Sequence, residues 1–159
     1  MQGDARVIEF LNEQLTSELT AINQYFLHAK MQESWGYPKL AAHTRAESID
    51  EMRHAEILTD RILVLDGLPN YQRLLPLRIG QTVREQLDSD LRIELDVINR
   101  LRPGIDHMRS VGDVTSARLF EDILADEEHH IDYLETQLGL IDKLGEQLYL
   151  AQLVQQPSS

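Results

Sequence analysis

Ile49-Asp50-Glu51-Met52-Arg53-His54-Ala55-Glu56 contains a Glu-x-x-His pair, Glu51 and His54, and Asp126-Glu127-Glu128-His129-His130-Ile131-Asp132 contains another, Glu127 and His130. Residues three apart on a helix share one face. Each pair therefore aims a carboxylate and an imidazole at one point, which is how a helix offers a metal two ligands. One pair is weak evidence, because a lone Glu-x-x-His more often decorates a surface. Two pairs carry weight only if the chain between them can bring them together.

The bulk composition allows this. The chain has 159 residues, 42% hydrophobic and 26% charged, which fits one globular domain spanning residues 1–159. Gly and Pro are sparse, and Leu, Ile, Glu, Asp and Arg dominate, which favours helices. With 15 Lys plus Arg against 27 Asp plus Glu, the net charge of -12 argues against nucleic acid as a partner and suits a protein that attracts cations. The absence of Cys excludes disulfides, thiolate metal sites, Fe–S clusters and thiol catalysis. Met1-Gln2-Gly3-Asp4 shows no basic-then-apolar signal. No apolar run approaches the ~18 residues a membrane span needs. The expectation is a cytoplasmic protein without a membrane partner.

Periodicity predicts an all-α chain. A first helix is expected from about Asp4 to Ser34, with Leu11, Leu15, Glu18, Ile22 and Tyr25 on one inward stripe. A second stripe, Leu19, Asn23 and Phe26, lies beside it, so this helix should face both its own core and another subunit. Trp35-Gly36-Tyr37-Pro38 ends it. A second helix is expected from Lys39 to Asp66, with Glu47, Glu51, His54, Leu58 and Leu65 inward and Ile62 alongside. Gly67 to Gln81 has no helical period. The second helix is ~40 Å long. Fifteen extended residues reach ~50 Å, so this long crossover between the second and third helices can traverse the bundle and leave them parallel. The third helix is expected from Thr82 to Arg109, with Leu87, Leu91, Glu94, Leu95 and Ile98 inward, and a kink or early end at Pro103-Gly104. The fourth should run from Asp113 to Leu144, with Leu124, Glu127, His130, Leu134 and Leu138 inward. A short fifth C-terminal helix is expected over Glu146 to Val154, then a frayed tail, Gln155 to Ser159.

An internal repeat ties the halves together. An offset of 76 carries Glu18 to Glu94, Glu51 to Glu127, His54 to His130, and Leu11, Leu15, Leu19, Ile22 and Leu58 to Leu87, Leu91, Leu95, Ile98 and Leu134. It also disfavours Asp126-x-x-His129 as a rival pair, since its equivalents are Asp50 and Arg53. Four carboxylates and two imidazoles then surround one point. Four buried carboxylates repel; at ~4 Å and an effective dielectric near 20, each pair costs about 4 kcal/mol. Two divalent cations cancel that charge. Oxygen-rich ligation without thiolate fits Fe or Mn, with Zn as a substitute. By the repeat symmetry, one metal takes Glu18 and His54, the other Glu94 and His130, and Glu51 and Glu127 bridge. Two adjacent Fe(II) with room for O2 or H2O2 imply Fe(II) oxidation. Tyr25, two turns beyond Glu18, is placed to give the site an electron or a hydrogen bond, and Glu47 is placed as an outer or transit ligand.

The stretches Met1 to Asp4, Glu18 through Asn23-Gln24-Tyr25-Phe26-Leu27-His28, and Glu47 to Ala55 resemble bacterioferritin, as do Arg61-Ile62-Leu63, Leu65 to Asn70 and Asp126 to Glu135. The resemblance covers essentially the whole chain. It implies a ferritin-like four-helix bundle and a di-iron ferroxidase centre in each subunit. It also implies a homo-oligomeric cage of 24 subunits holding ferric mineral, and haem b shared by two subunits through one Met from each. Met52 matches that axial ligand. It follows Glu51, so it points ~100° away from the core, and Leu19, Ile22, Asn23, Phe26 and Ile49 would wall the pocket. Iron release by a ferredoxin-type reductant through the haem follows from the same reading.

Some residues depart from family members. Ala46 stands where a His is often found, which weakens an inner-surface iron site with Asp50. Leu148, Leu150 and Leu153 would make a four-fold pore a poor iron entry if they faced it, and Glu121 is a candidate lining for other openings. The rival readings are another di-metal oxidoreductase, resembling manganese catalase or rubrerythrin, and a redox-inactive metal-binding cage. The lack of Cys excludes an attached rubredoxin module, and the fifth helix favours a cage.

Overall fold

The computed structural model describes residues 1–154. The expected tail, Gln155 to Ser159, lies outside the described residues. Four long helices form: α1 (Ala5–Ser34), α2 (Pro38–Val64), α3 (Val83–Ser110) and α4 (Val114–Leu144). A short α5 (Glu146–Ala151) continues into a 3-10 turn, Gln152–Val154, so the expected fifth helix is divided. The helices start where local chemistry satisfies their free N–H groups. The Asp4 side chain accepts from the N–H groups of Arg6 and Val7, Thr82 from Glu85, and Asp113 from Ser116. Pro38 opens α2, a position with no intrahelical donor to lose.

Side-chain contacts fix the directions. Gln32–Gln86, Gln24–Asp90, Arg100–Ser17 and His107–Asp4 run in opposite order along α1 and α3, which are therefore antiparallel. Arg61–Asp113 and His54–Asp126 do the same for α2 and α4. The segment 67–81 climbs along α1. The N–H groups of Asn70, Leu75, Arg78 and Gly80 donate in turn to the side chains of Asn12, Thr20, Gln24 and His28. The crossover thus spans the bundle and delivers α3 parallel to α2. These side chains meet backbone groups that no helix or strand would otherwise satisfy. Gly80 is needed at the tightest point, because a Cβ there would sit 2.4 Å from the Gln86 nitrogen.

Two apolar clusters fill the bundle. One holds Val7, Leu11, Leu15, Leu58, Ile62, Leu101, Met108 and Phe120; the other holds Leu40, Val83, Leu87, Leu134, Ile141, Tyr149 and Leu153. Each large side chain buried there contributes about 1.5–3 kcal/mol. Between the clusters, at mid-height on all four helices, lie Glu18, Glu51, His54, Glu94, Glu127 and His130, all buried. A polar layer in this position is costly unless something compensates its charge.

α3 runs through Pro103-Gly104 to Ser110, one residue past its expected end at Arg109, so of the two outcomes expected at that pair the early end does not occur. Leu101 and Met108, either side of the pair, are fully buried, and Gly104 admits the Phe120 ring, which a Cβ would meet at 2.6 Å. Packing on both sides outweighs the missing proline donor. Leu95 is not inward but 47% exposed, because the face carrying Glu94 continues through Val97, Ile98 and Leu101 and leaves the next residue about 100° away. Of the three α5-region leucines, Leu153 is buried in its own subunit and Leu150 packs against the same cluster; only Leu148 is exposed. Glu121 is paired with Arg109.

Candidate metal centre

The six residues come from four helices: Glu18 from α1, Glu51 and His54 from α2, Glu94 from α3, Glu127 and His130 from α4. Their donor atoms fall into two overlapping sets. Glu18, Glu51, His54 and Glu127 form one, and Glu51, Glu94, Glu127 and His130 the other, with the atoms of each set within 4.8 Å of one another. Glu51 and Glu127 belong to both sets; the remaining residues belong to one each. His54 Nδ1 lies 3.2 Å from Glu127 Oε1 and 3.5 Å from Glu18 Oε1. His130 Nδ1 lies 3.2 Å from Glu51 Oε1, 3.5 Å from Glu127 Oε2 and 3.6 Å from Glu94 Oε1.

These groups approach one another without completing hydrogen bonds. Glu18 Oε2, Glu51 Oε1, Glu94 Oε2, both Glu127 oxygens and both inward Nδ1 atoms are buried and unsatisfied. Buried polar atoms are rarely orphaned, and seven of them converging on one volume fit a cation. Burial works to lower the His130 pKa, but Glu127 and Glu51 outweigh it and push it up to about 11. Burial opposes charge on His54 too, and Glu127, Glu18 and Glu51 override it, raising its pKa. Burial and the charges of Glu18 and Glu127 push Glu51 well up, while Glu127, despite its burial, is held at about 2 by His130 and His54.

The periphery is built as carefully. Gln14 donates to Glu18 Oε1 at 2.8 Å, and the Tyr25 hydroxyl donates to Glu94. Burial raises the Tyr25 pKa well above its usual value, so it stays a donor. Glu47 is buried one turn before Glu51 and meets His43 Nε2 at 2.7 Å, with His43 stacked on Tyr133. His54 Nε2 reaches Asp126 Oδ2 at 2.8 Å. Gln14 was not anticipated, and Asp126 and Asp50 were weighed only as a rival ligand beside His129 and in an inner-surface iron site, not as outer neighbours of His54 and His130. The signal existed: Gln14 stands one turn before Glu18, and the same offset of 76 relates Asp50 to Asp126.

Met52 lies away from this centre, 53% exposed on the outer face. It lines a groove of about 470 Å³ with Leu19, Ile22, Asn23, Ala55 and Tyr71. Phe26 and Ile49, expected to wall it, are exposed but are not among its lining residues. Tyr71, from the crossover, was not anticipated there; its hydroxyl pairs with Thr59 at 2.6 Å.

A four-helix bundle with a full-length crossover, a short terminal helix and a buried carboxylate–histidine layer defines a ferritin-like protein, and a family profile described as the ferritin-like domain matches residues 8–144. Bacterioferritin BfrA of Mycobacterium tuberculosis is 71% identical over 157 residues, 99% of both chains. Bacterioferritin of Streptomyces coelicolor is 69% identical over 156 residues, 98% of this chain and 93% of that one. The solved structure of Mycobacterium tuberculosis bacterioferritin, BfrA, superposes with a TM-score of 0.97 at 72% identity over 98% of each chain. The chain belongs to the bacterioferritin family.

Proposed function

We propose that the protein stores iron as a ferroxidase: Fe(II) is the substrate, O2 or H2O2 takes its electrons, and Fe(III) is kept as mineral inside a cage of 24 copies in the cytoplasm. The observation that carries this reading is the pair of four-residue sets sharing Glu51 and Glu127. Such sharing suits two adjacent divalent ions, with Glu18 and His54 serving one, and Glu94 and His130 the other. Four carboxylates balance the charge of two Fe(II) and tolerate Fe(III) better still. Tyr25 orients Glu94 and is placed to supply an electron. Met52, with its partner-subunit counterpart, is proposed to hold haem b, which would carry single electrons from a ferredoxin-type reductant to the ferric mineral and so release iron as Fe(II). The exposed thioether in a largely apolar groove fits that group.

The test is direct. Fe(II) added to the assembled protein in air should be oxidised and should co-elute with a particle of high mass. A small oligomer at every salt concentration would sink the storage reading. A cage that binds Fe(II) without oxidising it would favour the redox-inactive alternative, and peroxide disproportionation with Mn would favour a catalase-like one.

Metal uptake should also release protons. Both imidazoles are protonated at neutral pH without metal, since their pKa values are raised. Binding displaces those protons, so affinity falls as pH falls. The sign for metal-free stability is the reverse. The protonated His130 contributes stability in full below the ordinary His pKa and loses it as pH rises through about 11. Zn(II) calorimetry in two buffers of different ionisation enthalpy measures the release; identical heats in both would contradict it.

A further inference from the structure

The two halves of the centre differ just outside the metal ligands. On one side, His54 Nε2 donates to Asp126 Oδ2 at 2.8 Å, reaching from α2 across to α4. That bond fixes the ring with Nε2 toward Asp126 and Nδ1 inward, the nitrogen that meets a metal once it gives up its proton. On the other side, the offset of 76 pairs His130 with Asp50. His130 Nε2 stands 3.7 Å from Asp50 Oδ2, too far for a hydrogen bond. Asp50 is engaged elsewhere: its Oδ1 accepts from Arg53 Nη1 at 2.8 Å. The residue equivalent to Arg53 is His129, and among the described residues Asp126 is paired with His54 alone. Arg53 is therefore where the internal repeat breaks in a way that touches the centre.

We propose that Asp126 and Arg53 make the two metal positions unequal, so that a divalent cation fills the Glu18–His54 position first and the Glu94–His130 position second. Asp126 is a positioning residue, holding His54 ready before any metal arrives. Arg53 acts by holding Asp50, so His130 lacks the outer hydrogen bond that fixes His54. The inference rests on the reading that these six residues hold two metals. An ordered filling also suits the proposed reaction, because the first Fe(II) is held without being spent until a neighbour joins it.

Zn(II) titration of the intact metal-free assembly by calorimetry tests this without turnover. The expected isotherm has two steps of one equivalent per subunit, the first about tenfold or more tighter, the scale of outer-partner effects on metal affinity. Asp126→Ala should weaken the first step by about tenfold to a hundredfold and leave the second in place. Arg53→Gln should tighten the second step alone. Both side chains are largely exposed, at 59% and 70%, so neither variant removes core packing. Anomalous diffraction at one equivalent of Zn(II) should place the ion beside His54. Two indistinguishable steps, a first ion beside His130, or an unmoved second step in Arg53→Gln would overturn the proposal while leaving a two-metal centre standing. Fewer than two equivalents bound by the unaltered protein would instead defeat the two-metal reading.

Discussion

Replacing Glu18 and Glu94 together by alanine should abolish Fe(II) oxidation, by at least about a hundredfold, while leaving the fold intact. Losing an outer partner of a ligand already costs ten- to a hundredfold, and here a ligand itself is lost from each half. Glu18 and Glu94 each belong to one of the two donor sets, so their removal leaves each position with one histidine and the two shared carboxylates. The remaining charge no longer matches two divalent ions. The same change should stabilise the metal-free protein. Two of four mutually repelling buried carboxylates disappear, and at ~4 Å such a repulsion is worth about 4 kcal/mol per pair before protons relieve it. The upward shifts of the Glu51 and His130 pKa values already offset part of this, and the buried Gln14 and Tyr25 donors lose their acceptors, so the gain should be smaller than the bare figure. Thermal melting with and without Zn(II) measures both effects. The unaltered protein should gain stability from the metal; the variant should start higher and gain little. Oxidation at the native rate in the variant would place the centre elsewhere.

Met52→Leu should remove haem without touching the dimetal centre. Leucine keeps the apolar bulk and loses the thioether, the one soft donor lining the groove. Met52 and the centre lie on different faces of α2, and Met52 is 53% exposed whereas Glu51 beside it is buried. Haem content should fall from about one per two subunits to near none under the two-subunit, two-Met scheme. The absorption spectrum should lose its haem bands, Fe(II) oxidation should persist, and reductive iron release should slow. An unchanged haem spectrum would overturn the assignment of Met52. The groove supports the assignment because it sits beside the second stripe of α1, where Leu19 is partly buried and Phe26 is exposed within the subunit.

Much of this was legible in the chain. The four long helices end within about two residues of where periodicity and capping put them. The crossover's length alone implied parallel α2 and α3, and the hydrogen bonds to Asn12, Thr20, Gln24 and His28 show the path it takes. The six inward polar residues were legible because two constraints agreed on them: helical spacing chose the face, and the offset of 76 chose the partners. Leu95 was misplaced because the repeat relates equivalent positions but does not say that either is inward; its counterpart Leu19 also lies toward the outer side. The early end considered at Pro103-Gly104 does not occur because the burial of Leu101 and Met108 and the Phe120 ring that Gly104 admits, none of them visible to local propensity, carry α3 through the pair.

Helix count, polarity of faces, charge, the lack of Cys and the identity of the six residues that meet at the centre follow from the sequence by itself, since each depends on composition or on spacing along one chain. Which atoms meet does not. That Glu51 and Glu127 are shared, that Gln14 and Tyr25 tether Glu18 and Glu94, and that Asp126 holds His54 while Arg53 claims Asp50 are contacts decided by the tertiary structure. The physical reason is geometric. A helix period fixes the direction in which a side chain leaves its axis, but the distance to a group on another helix depends on the axial register set by packing and by the crossover.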